Sequence, residues 1–234
     1  MKACGITDVG LQRHENQDTF AVERGAADGQ LIAVVCDGMG GHAAGEVASE
    51  IAVDVICDRA PAHPDASALG QAVEEANLAI IRAAREGVGR AGMGCTCTAA
   101  MLEKDKLVIA QVGDSRAYLL HKGQMQQLTR DHSLVADLIE AGQITEAEAR
   151  VHPQRSVITR ALGSDPRTQP DLFELTAEAG DRLLLCSDGL SNYVPEHDML
   201  RVVTGEGEWQ DKLKELVRIA LDAGGSDNIT AMVA

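Results

Sequence analysis

The sequence predicts an α+β fold in which strands and helices are grouped, not alternated, and three observations carry that reading. Short apolar runs at 96–102, 106–112 and 116–121 follow one another with only three residues between each pair. Parallel pairing needs a crossover of about a dozen residues or more, so these runs are expected to pair as an antiparallel meander. Outside this cluster the period changes: Leu69, Val73, Ala76, Ile80 and Ala84 recur at the three-to-four-residue spacing of an amphipathic helix. The continuous apolar stretches at 31–37 and 181–187 have the length of buried strands. Hairpins with helices gathered around them point to layered α+β packing, not to a doubly wound parallel sheet.

The elements follow in order. The strand at 31–37 runs into a glycine-rich turn at 38–45, and a helix at 46–59 is stopped by Pro61. A second helix covers 66–86, followed by the strand cluster, and His121-Lys122-Gly123 turns into another short run before Thr129. A helix at 133–141 stops at Gly142. Thr145-Glu146-Ala147-Glu148 is a capping box that opens a short helix. The segment 131–157 therefore reads as a helical insertion, or flap, between β segments. Helices at 196–203 and 208–223 follow the strand at 181–187, and 228–233 is a final strand. With no repeat, low-complexity tract or linker, residues 1–234 are expected to form one domain.

Composition narrows the function classes. Hydrophobic residues make up 45% of the chain but aromatics only 2%, so the core must be built from Val, Leu, Ile and Ala. No run approaches the roughly 18–20 apolar residues that span a bilayer. The first twenty residues lack the apolar centre of a signal peptide, which makes a soluble cytoplasmic protein the expectation. A formal net charge of −15 argues against nucleic acid or an anionic membrane as partner. The six cysteines form no CxxC pair and are expected to be reduced core or near-core thiols.

The chemistry is carried by aspartates. An apolar strand runs into an acid followed by a small residue at Cys36-Asp37-Gly38, Gly113-Asp114-Ser115 and Ser187-Asp188-Gly189, and Ser226-Asp227-Asn228 precedes the last strand. A carboxylate at the edge of an apolar strand is costly to desolvate unless paired. Asp37, Asp188 and Asp227 have no basic sequence neighbour, whereas Arg116 is placed to pair with Asp114. Divalent hard cations would supply the missing charge, and oxygen ligands without His or Cys favour magnesium, manganese or calcium over zinc. Asp-Gly is also a common turn dipeptide, so spacing alone leaves turn and metal site as open alternatives.

The ordered motifs add a resemblance. Arg13-His14-Glu15-Asn16-Gln17-Asp18 and Asp37-Gly38-Met39-Gly40-Gly41-His42-Ala43-Ala44-Gly45-Glu46 come first, then Gly113-Asp114-Ser115-Arg116 and Leu128-Thr129-Arg130-Asp131-His132-Ser133. His152-Pro153, Ile158-Thr159-Arg160-Ala161-Leu162-Gly163, Ser187-Asp188-Gly189-Leu190 and Asp227-Asn228-Ile229-Thr230 complete the set. Together they span nearly the whole chain, which resembles a bacterial member of the metal-dependent serine/threonine protein phosphatases, the PPM or type 2C family. The resemblance implies a four-layer α/β/β/α sandwich of two mostly antiparallel sheets. It implies hydrolysis of phosphoserine and phosphothreonine in proteins by a metal-activated water, without a phosphoenzyme. Two Mn2+ or Mg2+ ions are expected, with a third, weaker one.

Residue by residue, the resemblance implies that Asp37 bridges two metals and the Gly38 carbonyl binds one of them. Asp188 and Asp227 complete the ligands, Asp18 acts through water, and Asp114 with Asp188 holds the third ion. Arg13 grips the substrate phosphate, and Asn228 supports the site. Two donors compete for protonating the leaving group: His42, which lies three residues past the Asp37-Gly38 pair plus Met39, and a bound water. His152, with His132, brackets the flap and is a candidate substrate contact; a helix cap or turn filler is the competing reading for both. Phosphorylated proteins, a cognate Ser/Thr kinase and its targets are the implied partners, with the protein acting as a monomer. A phosphoprotein-binding module without turnover, and a hydrolase of small phosphomonoesters, are the alternatives at this level.

Overall fold

The computed structural model describes residues 2–25, 29–41 and 44–234. The apolar run predicted at 31–37 forms β3 (Gln30–Met39), which continues past Asp37 and Gly38 instead of turning there. Its side chains alternate between two cores. Ile32, Val34 and Cys36 face the helices, while Ala33 and Val35 face a second sheet. Burial on both faces is why the run reads as continuously apolar.

The strand cluster is antiparallel, as expected, but it does not stay in one sheet. β5 (Cys97–Glu103) pairs with β6 (Lys106–Val112). β7 (Arg116–His121) leaves that sheet and pairs instead with β8 (Gln124–Gln127) and β10 (Arg182–Cys186). Ser115 marks the departure. Its carbonyl accepts from Thr98 Oγ1 at 2.7 Å and its hydroxyl meets Thr96 Oγ at 2.6 Å, pinning the turn over β5 while β9 (Asp171–Thr176) takes the free edge of β6.

One sheet runs β2-β3-β5-β6-β9, with β2 at Asp18–Arg24 and the short β4 (Gly94–Cys95) paired to the end of β3. The other runs β1-β11-β10-β7-β8, with β1 at Cys4–Asp8 and β11 at Ile229–Val233. Three apolar cores separate four layers. α1 (Ala44–Arg59) and α2 (Ala66–Arg85) cover the first sheet through Ala48, Ile56, Leu69 and Ile80. Val35, Ile109, Leu119 and Leu185 lie between the sheets. α6 (Glu196–Thr204) and α7 (Trp209–Asp222) cover the second sheet through Met199, Leu213 and Leu216. This is the expected α/β/β/α sandwich.

Strands β1, β2 and β9 are not anticipated by the apolar pattern, and all three are edge strands. An edge strand with one face toward solvent carries polar residues, as the alternating burial of Asp171–Thr176 shows. Between β8 and β9, Ser133 caps α3 (Leu134–Glu140), and the Thr145–Glu148 capping box opens α4 (Glu146–Arg150) as predicted. A bridge between Ser133 and Ile158 fastens the two ends of this excursion together. Among the described residues no helix is long and apolar enough to cross a membrane, and all six cysteines are free thiols.

Leu185 is 1% exposed at the centre of the inter-sheet core. Leu185→Ala should cost ~2–5 kcal/mol of stability, read as a lower urea midpoint at unchanged slope.

Candidate metal centre

The two sheets end together at one edge of the sandwich, and that edge collects the aspartates. Asp18 and Asp37 face each other across the β2–β3 ladder. Asp114 sits in the turn where the chain steps between sheets. Asp188 begins the short helix α5 (Asp188–Ser191) at the end of β10, and Asp227 precedes β11.

Backbone contacts fix these positions. The Asp37 N–H donates to Thr96 Oγ1 at 2.9 Å, and its carbonyl accepts from the Thr96 N–H at 2.8 Å. The Gly38 N–H donates to the Gln17 carbonyl at 3.0 Å, tying β3 to the segment before Asp18. A Cβ on Gly38 would lie 2.2 Å from the Gly45 carbonyl oxygen, so only glycine lets the start of α1 close over this strand. Gly189 is similarly constrained: a Cβ there would lie 1.9 Å from the Asn228 carbonyl oxygen, so the segments carrying Asp188 and Asp227 meet backbone to backbone.

Asn228 acts as a clasp. Its Oδ1 accepts from the Gln17 N–H at 2.8 Å, and its Nδ2 donates to the carbonyls of Val9 and Glu15 at 2.9 and 3.0 Å. The N-terminal segment is thereby held to the start of β11. Arg13 on that segment donates to Asp227 Oδ2 at 2.8 Å, with its side chain 52% exposed. That hydrogen bond, with the charges of Asp227, Asp37 and Asp188, holds the Arg13 pKa above its usual value despite partial burial.

Asp18 is buried between the two sheets. Its Oδ2 accepts from Ser187 Oγ and Thr230 Oγ1, each at 2.7 Å, from the opposite sheet. Burial drives its pKa to about 7; the two hydroxyls oppose the rise, and Asp188 and Asp227 add to it. Burial and the neighbouring Asp227 raise Asp188 to about 6, offset in part by a hydrogen bond from Asp37. Asp37 is pushed well up by burial and then by Asp18, Asp188, Asp114 and Asp227. Asp114 rises through burial, Asp188 and Asp131.

Arg116 does not pair with Asp114. It forks onto Asp131, with its closest contact at 2.6 Å, and also reaches the Tyr118 hydroxyl. Buried oxygens of Asp18, Asp114 and Asp188 (Oδ1 in each) are left without a hydrogen-bond partner. Unpartnered carboxylate oxygens in a cluster that strains against its own ionisation are the chemistry a hard divalent cation satisfies. Among the described residues no three such side chains already converge as a closed cage. Oxygen donors of this kind suit hard ions that keep several waters and use few carboxylates.

The sequence-predicted residues Arg13, Asp18, Asp37, Gly38, Asp114, Asp188, Asp227 and Asn228 thus share one edge of the molecule. His152 stands in a local turn, where its Nδ1 accepts the Gln154 N–H at 3.1 Å. His42 lies outside the described residues. Sequence reasoning missed Thr96, Ser187 and Thr230, which orient Asp37 and Asp18. Ser187 and Thr230 lie one and three residues from Asp188 and Asp227, whereas Thr96 stands near no motif aspartate in the sequence.

Known proteins resemble the chain over nearly its whole length. A family model described as Protein phosphatase 2C matches residues 12–234. The serine/threonine phosphatase stp of Listeria welshimeri is 40% identical over 234 residues, covering 97% of this chain and 92% of the relative. The crystal structure of a bacterial serine phosphatase superposes with a TM-score of 0.93 at 40% identity, covering 100% of this chain and 97% of the other. The catalytic domain of the serine/threonine phosphatase PstP, solved in complex with two manganese ions, superposes with a TM-score of 0.86 at 36% identity, covering 99% and 96%. The chain belongs to the protein phosphatase 2C family, the metal-dependent protein serine/threonine phosphatases.

Proposed function

We propose that this edge is a phosphatase centre holding two Mn2+ or Mg2+ ions on Asp37, the Gly38 carbonyl, Asp188 and Asp227, with Asp18 engaged through water. Asp114 and Asp188 hold a third, weaker ion. The observation that carries the reading is the set of buried, unpartnered oxygens on Asp18, Asp114 and Asp188 at the meeting of the two sheets. When bound, such ions supply the positive charge that activates water near neutral pH and offsets charge on the phosphoryl oxygens. The complex of PstP with two manganese ions supports manganese as one such ion.

The chain's own residues do the rest. Arg13 is exposed enough to swing from Asp227 to a substrate phosphate, where its planar fork matches phosphoryl oxygens. Asn228 keeps the Arg13 segment and Asp227 in fixed relation. Ser187 and Thr230 hold Asp18 by one oxygen and leave the other directed into the site. The leaving serine or threonine oxygen takes its proton from His42 or from water, and these differ in their pH dependence. The substrates are phosphoserine and phosphothreonine proteins modified by a cognate kinase. The chain acts as one monomeric, cytoplasmic domain with 131–157 as its flap.

Hydrolysis of a phosphothreonine peptide should require Mn2+ or Mg2+ and stop with chelator. Asp37→Ala and Asp188→Ala should each lower kcat/KM by more than the roughly 10–100-fold that loss of an outer-shell partner costs, while Asn228→Ala should fall within that range. Full activity in either aspartate variant, or a strong preference for small phosphomonoesters, would overturn the proposal. His42→Gln should shift the alkaline limb of the pH–rate profile if His42 is the donor, because a general acid must be protonated to act; an unchanged profile assigns the proton to water.

The raised carboxyls also predict a linkage. Asp18 ionises near 4 when unfolded and at about 7 when folded, so the unfolded chain binds fewer protons between those values. Its contribution to the stability of chelated protein therefore falls as pH rises from about 4 to 7. Added Mn2+ should remove that fall by stabilising the ionised form, which calorimetric Tm values at pH 5 and 7 with chelator or Mn2+ will show.

A further inference from the structure

Asp114 differs from Asp18, Asp188 and Asp227, each of which accepts from a neighbouring side chain, in how it is held. No side chain among the described residues hydrogen-bonds its carboxylate; only its own backbone does so. Its direction is therefore set by the turn that carries it. That turn depends on Gly113, whose φ is +101° and where a Cβ would lie 2.6 Å from Thr96, so no other residue fits.

Both backbone groups of Gly113 are held by His132. The Gly113 N–H donates to His132 Nδ1 at 3.0 Å, and the Gly113 carbonyl accepts from the His132 N–H at 2.9 Å. Gln111 Nε2 adds a second bond to that carbonyl at 2.6 Å. His132 is 6% exposed, so these bonds form out of water, where losing one is costly. A backbone N–H can only donate, so Nδ1 is the unprotonated nitrogen and the ring proton sits on Nε2. Nε2 lies 3.2 Å from Asp171 Oδ2, off the line of a good hydrogen bond, and Asp171 Oδ1 accepts from Arg160 Nη1 at 2.5 Å.

The same residue joins the ends of the helical excursion. Thr159 N–H donates to the His132 carbonyl at 2.9 Å, and the next pair, Ser133 and Ile158, forms the bridge that closes the excursion. We propose that His132 is the positioning residue for Asp114: its Nδ1, held as acceptor by the Nε2–H tautomer, locks the Gly113–Asp114 turn and ties it to the base of the flap. The proposal rests on the reading of Asp114 as holder of the weaker metal.

The test uses the full chain. In metal-free protein, NMR should show the Gly113 amide protected from exchange and the His132 ring as the Nε2–H tautomer. His132→Asn keeps an acceptor where Nδ1 stood, so Gly113 protection and the affinity of the weakest Mn2+ site by calorimetry should stay within about threefold of the parent. His132→Leu should speed Gly113 exchange and weaken that site by about tenfold or more, the range for lost outer-shell support. Asp171→Asn should act in the same direction. Arg160 keeps the amide oxygen and the NH2 group is left facing Nε2, which drives the ring proton to Nδ1 against the Gly113 N–H. A folded His132→Leu protein with unchanged Gly113 exchange would overturn the proposal; if that variant fails to fold, an unprotected Gly113 amide or an Nδ1–H ring in the parent protein does so. Unchanged Mn2+ stoichiometry in Asp114→Ala would sink the metal reading of Asp114 instead, while Gly113 exchange still decides the role of His132.

Discussion

The centre depends on carboxylates brought together where two sheets close and water is scarce. Asp18 shows the constraint most directly. It stands on one sheet, takes its hydrogen bonds from Ser187 and Thr230 on the other, and still has one oxygen with no partner. Asp37, Asp114, Asp188 and Asp227 add their fields. Burial opposes ionisation of Asp18, Asp37, Asp114 and Asp188, and the charges of their neighbours add to that opposition. A protein that keeps such a cluster needs positive charge there, and Arg13 provides only part of it from a half-exposed position.

The sandwich makes that crowding affordable to the fold because the rest of the chain is densely apolar. The inter-sheet core of Val35, Ile109, Leu119 and Leu185 fixes the spacing of the sheets. Helices on both outer faces keep the central strands free of solvent. Rigid strand ends then carry the acids, and close backbone approaches at Gly38 and Gly189 draw neighbouring segments together. A site built this way is set by packing throughout the domain, since shifting either sheet separates Asp18 from the hydroxyls that orient it.

The Asp114 carboxylate has a buried oxygen without a partner, and the turn at Gly113 that carries it lies against the excursion. His132 grips both of its backbone groups, so the base of the flap and the Asp114 carboxylate share one anchor. Arg160 and Asp171 extend that anchor to the edge strand β9. The cleft beneath the flap opens onto Asp114 and Asp188, which places the helical excursion beside the site.

Much of this was legible in the residues alone. Central strands announced themselves as apolar runs because they are buried on both faces, and the capping box at Thr145–Glu148 is a local hydrogen-bond pattern that sequence encodes fully. The aspartates were legible as strand-end acids in ordered motifs. Edge strands β1, β2 and β9 were not, because one solvated face removes the continuous apolar signal. The step of β7 into the other sheet, the fork of Arg116 onto Asp131, and the grip of Ser187 and Thr230 on Asp18 were also hidden. Each is a contact between residues far apart in the chain, decided by which strand edges remain free and which sheets face each other. Sequence determined which residues carry the chemistry; tertiary structure alone decided which of their oxygens are satisfied, because partners for buried polar atoms come from wherever packing places them.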